Sequence, residues 1–81
     1  MQRLGNVLHI TPSRNIVVKI ENMPKIGEKV VDENLKPIGK VFDIIGPVHK
    51  PYAIVKPVIK EKKEIVGKSL YVVPLERERR R

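Results

Sequence analysis

The sequence predicts an all-β fold, a small six-stranded antiparallel barrel that is closed or nearly closed. The 81 residues include ten isoleucines and twelve valines, and such β-branched side chains pack well in strands but lose rotamer freedom in helices. Apolar residues recur with the two-residue repeat of a strand. Clusters of turn-forming residues recur at short intervals, with no helical pattern between them.

The turn clusters divide the chain into its elements. Pro, Gly, Asn, Asp and Ser, which favour turns for backbone reasons, concentrate near 11–15, 21–28, 32–37, 46–51 and 66–69. The predicted strands between them are 3–10, 15–21, 29–31, 38–45, 52–59 and 70–74. One barrel domain is expected over 1–75, followed by a basic tail at 76–81. Segment 58–68 carries six charges, and we expect a mobile hairpin or a helical turn there.

Alternation along each strand predicts which side chains fill the barrel. The apolar residues on one face of the first strand are Leu4, Leu8 and Ile10, and in the second strand they are Ile16, Val18 and Ile20. In the fifth strand Ala53, Val55, Pro57 and Ile59 share a face, opposite Tyr52, Ile54 and Val58. Because Pro57 cannot donate to a central ladder, its end of the strand is expected at a sheet edge or a bulge.

The fourth strand carries apolar groups on both faces. Strict alternation puts Ile38, Lys40, Phe42 and Ile44 on one face, and Gly39, Val41, Asp43 and Ile45 on the other. If the first face fills the barrel, Val41 and Ile45 point toward solvent. Their burial would then have to come from a partner.

The net charge of +8 predicts attraction to polyanions. The last six residues hold four arginines and two glutamates, so +6 remains on the rest of the chain. Phe42, Tyr52 and Tyr71 are the three aromatic residues, too few for a platform that stacks many bases. The charge therefore indicates a protein that acts close to RNA or DNA more than one that recognises individual bases. The candidate RNA-proximal residues lie in the tail: Arg77, Arg79, Arg80 and Arg81.

Cysteine usage and hydropathy indicate the compartment. The chain contains no cysteine, so neither a disulfide framework nor a thiolate metal site is available. It shows no signal peptide and no run of 18 apolar residues. We expect a soluble cytoplasmic protein that does not interact with membranes.

Residues suited to catalysis are few. His9 and His49 are isolated, Asp32, Glu33 and Asp43 lie in a turn or among strand residues, and Ser13 and Ser69 lie in predicted turns. Gly39 and Gly46 do not belong to a phosphate-binding glycine loop, because no helix follows them. The sequence therefore predicts no enzyme activity, no metal, no cofactor and no small-molecule ligand.

The connector GPVHKP at 46–51 has two interpretations. Pro47 and Pro51 fix φ and remove two backbone donors, so it is either simply a stiff corner of the barrel or a preorganised surface for a protein partner. In the second case the apolar residues around it form the surface, with Tyr52 as its anchor.

Three segments resemble a known family. GNVLHI at 5–10, PKIGEKVVDENLKPIGKV at 24–41 and DIIGPVHKPYAIVKP at 43–57 are similar to the core of the Gly/Arg-rich-named, or Gar-type, small subunit of box H/ACA ribonucleoproteins in its archaeal form. The resemblance implies a barrel of the translation-factor and reductase type. It also implies an accessory subunit that binds the catalytic pseudouridine synthase and contacts the other box H/ACA proteins and the guide RNA mostly indirectly. This subunit helps control the loading and release of substrate rRNA.

In that family the catalytic aspartate lies in the synthase. The resemblance places the docking residues at Ile44, Ile45, Gly46, Pro47, Val48, Pro51 and Tyr52, with Val55, Pro57 and Val58 as further members. This chain lacks the flanking Gly/Arg-rich tracts of the eukaryotic pattern. Two alternatives stay open: a free-standing RNA-binding barrel of the ribosome-maturation type, which shares a GKVFDI-like strand, and a metabolite-binding or enzymatic barrel.

Overall fold

The structure is a computed structural model that describes residues 2–60 and 63–74. It contains six strands: β1 (Gln2–Ile10), β2 (Ile16–Ile20), β3 (Lys29–Val31), β4 (Pro37–Ile45), β5 (Tyr52–Pro57) and β6 (Ser69–Val73). A 3-10 helix covers Lys63–Ile65, so of the two predictions for segment 58–68 the helical turn is confirmed. The predicted tail at 76–81 lies outside the described residues.

Side chains at two predicted turns bond to the backbone there. The Thr11 hydroxyl accepts a hydrogen bond from the backbone N–H of Asn15 at 3.0 Å. The Asp32 carboxylate accepts bonds from the backbone N–H groups of Asn34 at 2.8 Å and Lys36 at 2.9 Å. These short polar side chains replace backbone partners that a strand would have supplied, and so they end β1 and β3.

The strands close into an antiparallel barrel in the order β1-β2-β5-β4-β3-β6, which confirms the predicted fold class. β1 pairs with both β2 and β6, and β3 pairs with both β4 and β6. The first and last strands are therefore neighbours. No helix in the described part of the chain has the length and apolar character needed to cross a membrane.

Side chains from all six strands form one core. Its largest members, each less than 2% exposed, are Leu4, Ile16, Ile38 and Leu70, and the rest are mainly valines. Ile65 of the 3-10 helix is 8% exposed and joins the same cluster. The alternation predicted for β2 is confirmed by Ile16 and Val18, both completely buried, and in β5 Ala53 and Val55 are completely buried on the face opposite Tyr52 and Ile54.

Register shifts make the predictions for β1 and β4 partly wrong. In β1 the pairing with β2 passes from Val7 to His9, so Leu8 has no partner there and is 43% exposed. In β4 the pairing with β5 passes from Val41 to Asp43, so Phe42 is the extra residue and is 54% exposed. An extra residue reverses the alternation beyond it. Ile38 is an extra residue in the pairing with β3, which passes from Pro37 to Gly39, so Val41, predicted to point to solvent, is inside the barrel and 2% exposed.

Pro57 lies at a position where the neighbouring strand needs no hydrogen bond from its nitrogen, as expected for a proline at a sheet edge. It pairs with Gly39 of β4, whereas the paired part of β2 begins with Ile16 opposite Val55. The Pro57 nitrogen therefore faces no ladder partner on that side. The two strands approach so closely at Gly39 that a Cβ there would overlap the carbonyl oxygen of Lys56.

Candidate functional site

The connector between β4 and β5 is a tight turn tied to a third strand. The backbone N–H of Lys50 donates to the Pro47 carbonyl oxygen at 3.1 Å, which closes the turn. The backbone N–H of Ile20, at the end of β2, donates to the Pro51 carbonyl oxygen at 3.3 Å. The prolines and these two bonds hold the connector in one conformation, as the sequence predicts.

An apolar surface lies on the outside of the barrel beside this turn. On the outer face, Tyr52 of β5 stands between Lys19 of β2 and Ile45 of β4. The next outward residue of β5, Ile54, stands between Val17 and Asp43. A groove of about 400 Å³ is lined by Leu8, His9, Thr11, Val17, Ile45, Tyr52 and Ile54. We call Leu8, Ile45, Tyr52 and Ile54, together with the turn at 46–51, the docking surface, whereas Val17 lies at the bottom of the groove and is only 7% exposed.

The structure divides the docking residues predicted from the sequence into three groups. Ile45 is 45% exposed and Val48 is 89% exposed, and they belong to the docking surface with Gly46, Pro47, Pro51 and Tyr52. Ile44 points inward and packs against the core. Val55 is completely buried, so its side chain cannot belong to a surface. Pro57 is the last residue of β5, at the end away from the turn, and Val58 follows it.

Three lysines form a row across the outer face at that opposite end. Lys40 of β4 lies directly between Lys29 of β3 and Lys56 of β5 in the strand register, and all three are exposed. We call these residues the basic row. The extra residue Phe42 projects beside it, and the ammonium of Lys56 is 5.3 Å from the centre of the Phe42 ring. This distance is within the range of a cation–π contact.

Both serines considered for catalysis make structural hydrogen bonds. The Ser69 hydroxyl donates to the Asn6 side-chain oxygen at 3.1 Å, and the Ser13 hydroxyl lies 3.0 Å from that of Thr11. His9 lines the groove beside the docking surface, and His49 is exposed in the turn. Within residues 2–60 and 63–74, no group of three or more His, Asp or Glu side chains is arranged to hold a metal ion.

Comparison with known proteins identifies the family. The family model described as "Gar1/Naf1 RNA binding region" matches residues 1–79. The chain belongs to the Gar1/Naf1 family. It is 38% identical over 76 residues to an uncharacterised protein of Methanothermobacter thermautotrophicus, covering 89% of this chain and 83% of the relative. It is 44% identical over 55 residues to an uncharacterised protein of Methanocaldococcus jannaschii, covering 68% of this chain and 67% of the relative.

Membership in the Gar1/Naf1 family confirms the resemblance seen in the sequence. The family is an RNA-binding accessory family rather than a catalytic one. Both relatives are archaeal, in agreement with the archaeal form that the motifs indicate. RNA binding is thus a property of the family, and the two outer surfaces of this barrel are the places to look for its partners.

Sequence reasoning missed several members of both surfaces. Ile54 alternates with inward residues of its strand, so the two-residue repeat indicated that it points outward. Leu8 and Phe42 were placed incorrectly because nothing in the local sequence marks the register shifts. The basic row depends on which residues face each other across three strands, and no single strand reveals that.

Proposed function

We propose that this protein is a non-catalytic accessory subunit of a box H/ACA ribonucleoprotein. It binds the catalytic pseudouridine synthase through the docking surface and aids RNA-guided pseudouridylation of rRNA by controlling substrate loading and release. The observation that carries the proposal is the exposed apolar surface beside the rigid 46–51 turn, anchored by the pair Ile45 and Tyr52. Membership in the Gar1/Naf1 family supports it.

The composition of the docking surface suits a protein partner. A tyrosine at its centre, flanked by aliphatic side chains, matches the aromatic anchors that dominate binding energy at interfaces. Lys19 and Asp43 border it through their pairing with Tyr52 and Ile54, and such a charged rim favours correct orientation of the partner. The surface therefore offers an apolar centre with a polar border.

The stiffness of the turn lowers the cost of binding. Its prolines and its backbone bond to Ile20 restrict it before any partner arrives. A loop that is already ordered loses less conformational entropy when it is captured. The synthase then needs to order little of this protein in order to bind it.

The test uses the synthase from the same organism, without RNA. We expect the two proteins to co-elute in size-exclusion chromatography. We expect the double variant Ile45→Asp, Tyr52→Ala to stay folded and to lose at least about tenfold in affinity by calorimetry, on the order of 1.4 kcal/mol. The matched control is Leu35→Asp, which changes an apolar residue that is 59% exposed, in the turn between β3 and β4.

Unchanged affinity in the folded double variant would remove the docking surface from the proposal. Absence of co-elution, together with a tight gel shift on guide RNA alone, would favour the alternative of a free-standing RNA-binding barrel. In that case the basic row, and not the docking surface, would be the working face.

A further inference from the structure

We propose that the basic row and Phe42 form a binding site for single-stranded RNA. Phosphates bind Lys40 and Lys56, and one unstacked base lies against the exposed part of the Phe42 ring. Membership in the Gar1/Naf1 family supports the choice of RNA as the polyanion. The site does not depend on synthase docking, because it shares no residue with the docking surface.

The first observation is the arrangement of charge. Lys40 has Lys56 directly opposite it on β5, and like charges in that position repel each other. Among the residues that the structure describes, neither Lys40 nor Lys56 forms an ion pair. The Glu28 carboxylate, on the segment that pairs with Val41, is turned inward and accepts the backbone N–H of Lys25 at 2.9 Å. A chain of phosphates would relieve this repulsion.

The second observation is an aromatic ring beside the charges. Because Phe42 is an extra residue in β4, it projects outward although the strand also fills the core. It lines an open groove of about 510 Å³ together with Gly27, Lys40, Val41, Lys56, Pro57 and Val58. A base has a flat face that stacks on such a ring, and the flanking cations hold the sugar-phosphate backbone.

The shape of the surface favours a single strand. A second groove, lined by Lys29, Lys40 and Val58 among others, adjoins the first and continues along the row. Arg14 lies beside Lys56 at the other end, where both line a shallow depression. Across the row, Lys29 and Lys56 are two strand spacings apart, about 10 Å. Stacking on Phe42 requires a base that is free of its duplex partner, which a paired RNA does not offer.

The position of the site also relates it to the docking surface. Tyr52 and Lys56 point outward from the same strand and are four residues, or about 13 Å, apart. RNA bound at the basic row therefore passes close to whatever protein covers Tyr52. A small site of this kind guides an RNA strand without reading its sequence.

The test measures binding of a labelled single-stranded oligouridine of about 12 nucleotides to the full chain by fluorescence anisotropy at several salt concentrations. We expect the double variant with Lys40→Gln and Lys56→Gln to weaken oligouridine binding about tenfold. The slope of log affinity against log salt should become shallower by about 1.4, since each lost phosphate contact on a single strand contributes roughly 0.7. We expect Phe42→Leu, which keeps an apolar side chain, to weaken binding about fivefold with little change in that slope.

The matched control is Lys19→Gln, Lys36→Gln, which removes the same charge from exposed positions outside the row. Equal losses in the two double variants would overturn the site, because binding would then follow total charge. No detectable oligouridine binding, or equal binding of an RNA duplex, would overturn it as well. Synthase affinity measured on the same proteins separates the two proposals, because the basic-row variants should keep it and Ile45→Asp should not.

Discussion

The ring of Tyr52 lies against the backbone of Gly46. A Cβ built on Gly46 would be 3.1 Å from Cδ2 of Tyr52 and 3.0 Å from the carbonyl oxygen of Lys50. Gly46 also has φ of +98°, a conformation that other residues rarely adopt. Glycine at this position therefore allows both the turn after β4 and the placement of the docking anchor.

Replacing Gly46 should affect stability and the docking surface together. We expect Gly46→Ala to lower the free energy of unfolding by about 1–2 kcal/mol because of the positive φ, with a drop in Tm of roughly 4–8 °C per kcal/mol. Thermal unfolding followed by circular dichroism measures the first effect. Shifted NMR signals of the Tyr52 ring would report its displacement, and unchanged signals would contradict the contact.

Burial separates two valines that the sequence leaves hard to distinguish. Val41 is 2% exposed and Val48 is 89% exposed. We expect Val41→Ala to cost about 2–3 kcal/mol, because it removes two buried methyl groups and leaves a cavity. Val48→Ala, with the same chemical change, should cost less than about 0.5 kcal/mol. Equal midpoints in urea denaturation would show that Val41 points to solvent after all.

The Glu28 side chain holds the segment before β3. It is 7% exposed, and its carboxylate accepts the backbone N–H of Lys25 at 2.9 Å. We expect Glu28→Ala to lower the free energy of unfolding by about 1 kcal/mol through loss of this bond. Glu33→Ala, at an exposed position in the next turn, is the matched control. Similar unfolding midpoints for the two variants would exclude a structural role for Glu28.

The basic tail should contribute little to synthase binding. Residues 76–81 carry a net charge of +2 out of +8, and charges outside a packed interface add little affinity. We expect deletion of these six residues to change synthase affinity less than about twofold, on the order of 0.4 kcal/mol. Calorimetry at physiological salt measures this change, and a tenfold loss would place the tail in the interface.

Much of the fold could be predicted because local signals agree with the final structure. The predicted strand 52–59 and the observed strand Tyr52–Pro57 begin at the same residue, and each predicted strand overlaps an observed one. The β-branched residues and the turn-forming residues point to the same boundaries. Strict alternation holds in β2 and β5, so residues predicted to share a face, such as Ala53 and Val55, do share it.

The errors follow from pairing between strands, which one strand's sequence does not encode. Phe42 and Leu8 are extra residues only relative to their partner strands. The shift at Ile38, which appears only in the pairing with β3, brings Val41 inside the barrel, and strict alternation in β4 misses it. Val55 entered the predicted docking set because it lies near the connector in sequence, whereas its strand position directs it inward. Pro57 is at the far end of the same strand, and Val58 lies just beyond it.

The pairing of β1 with β6 has a consequence for synthesis of the chain on the ribosome. β1 emerges first, yet one of its two edges stays open until residues 69–73 have left the exit tunnel. One edge of β3 also stays unpaired until β6 has been synthesised. Unpaired edges of this kind recruit strands from other molecules. Each nascent chain is therefore prone to aggregation until β6 has been synthesised and has paired with β1 and β3.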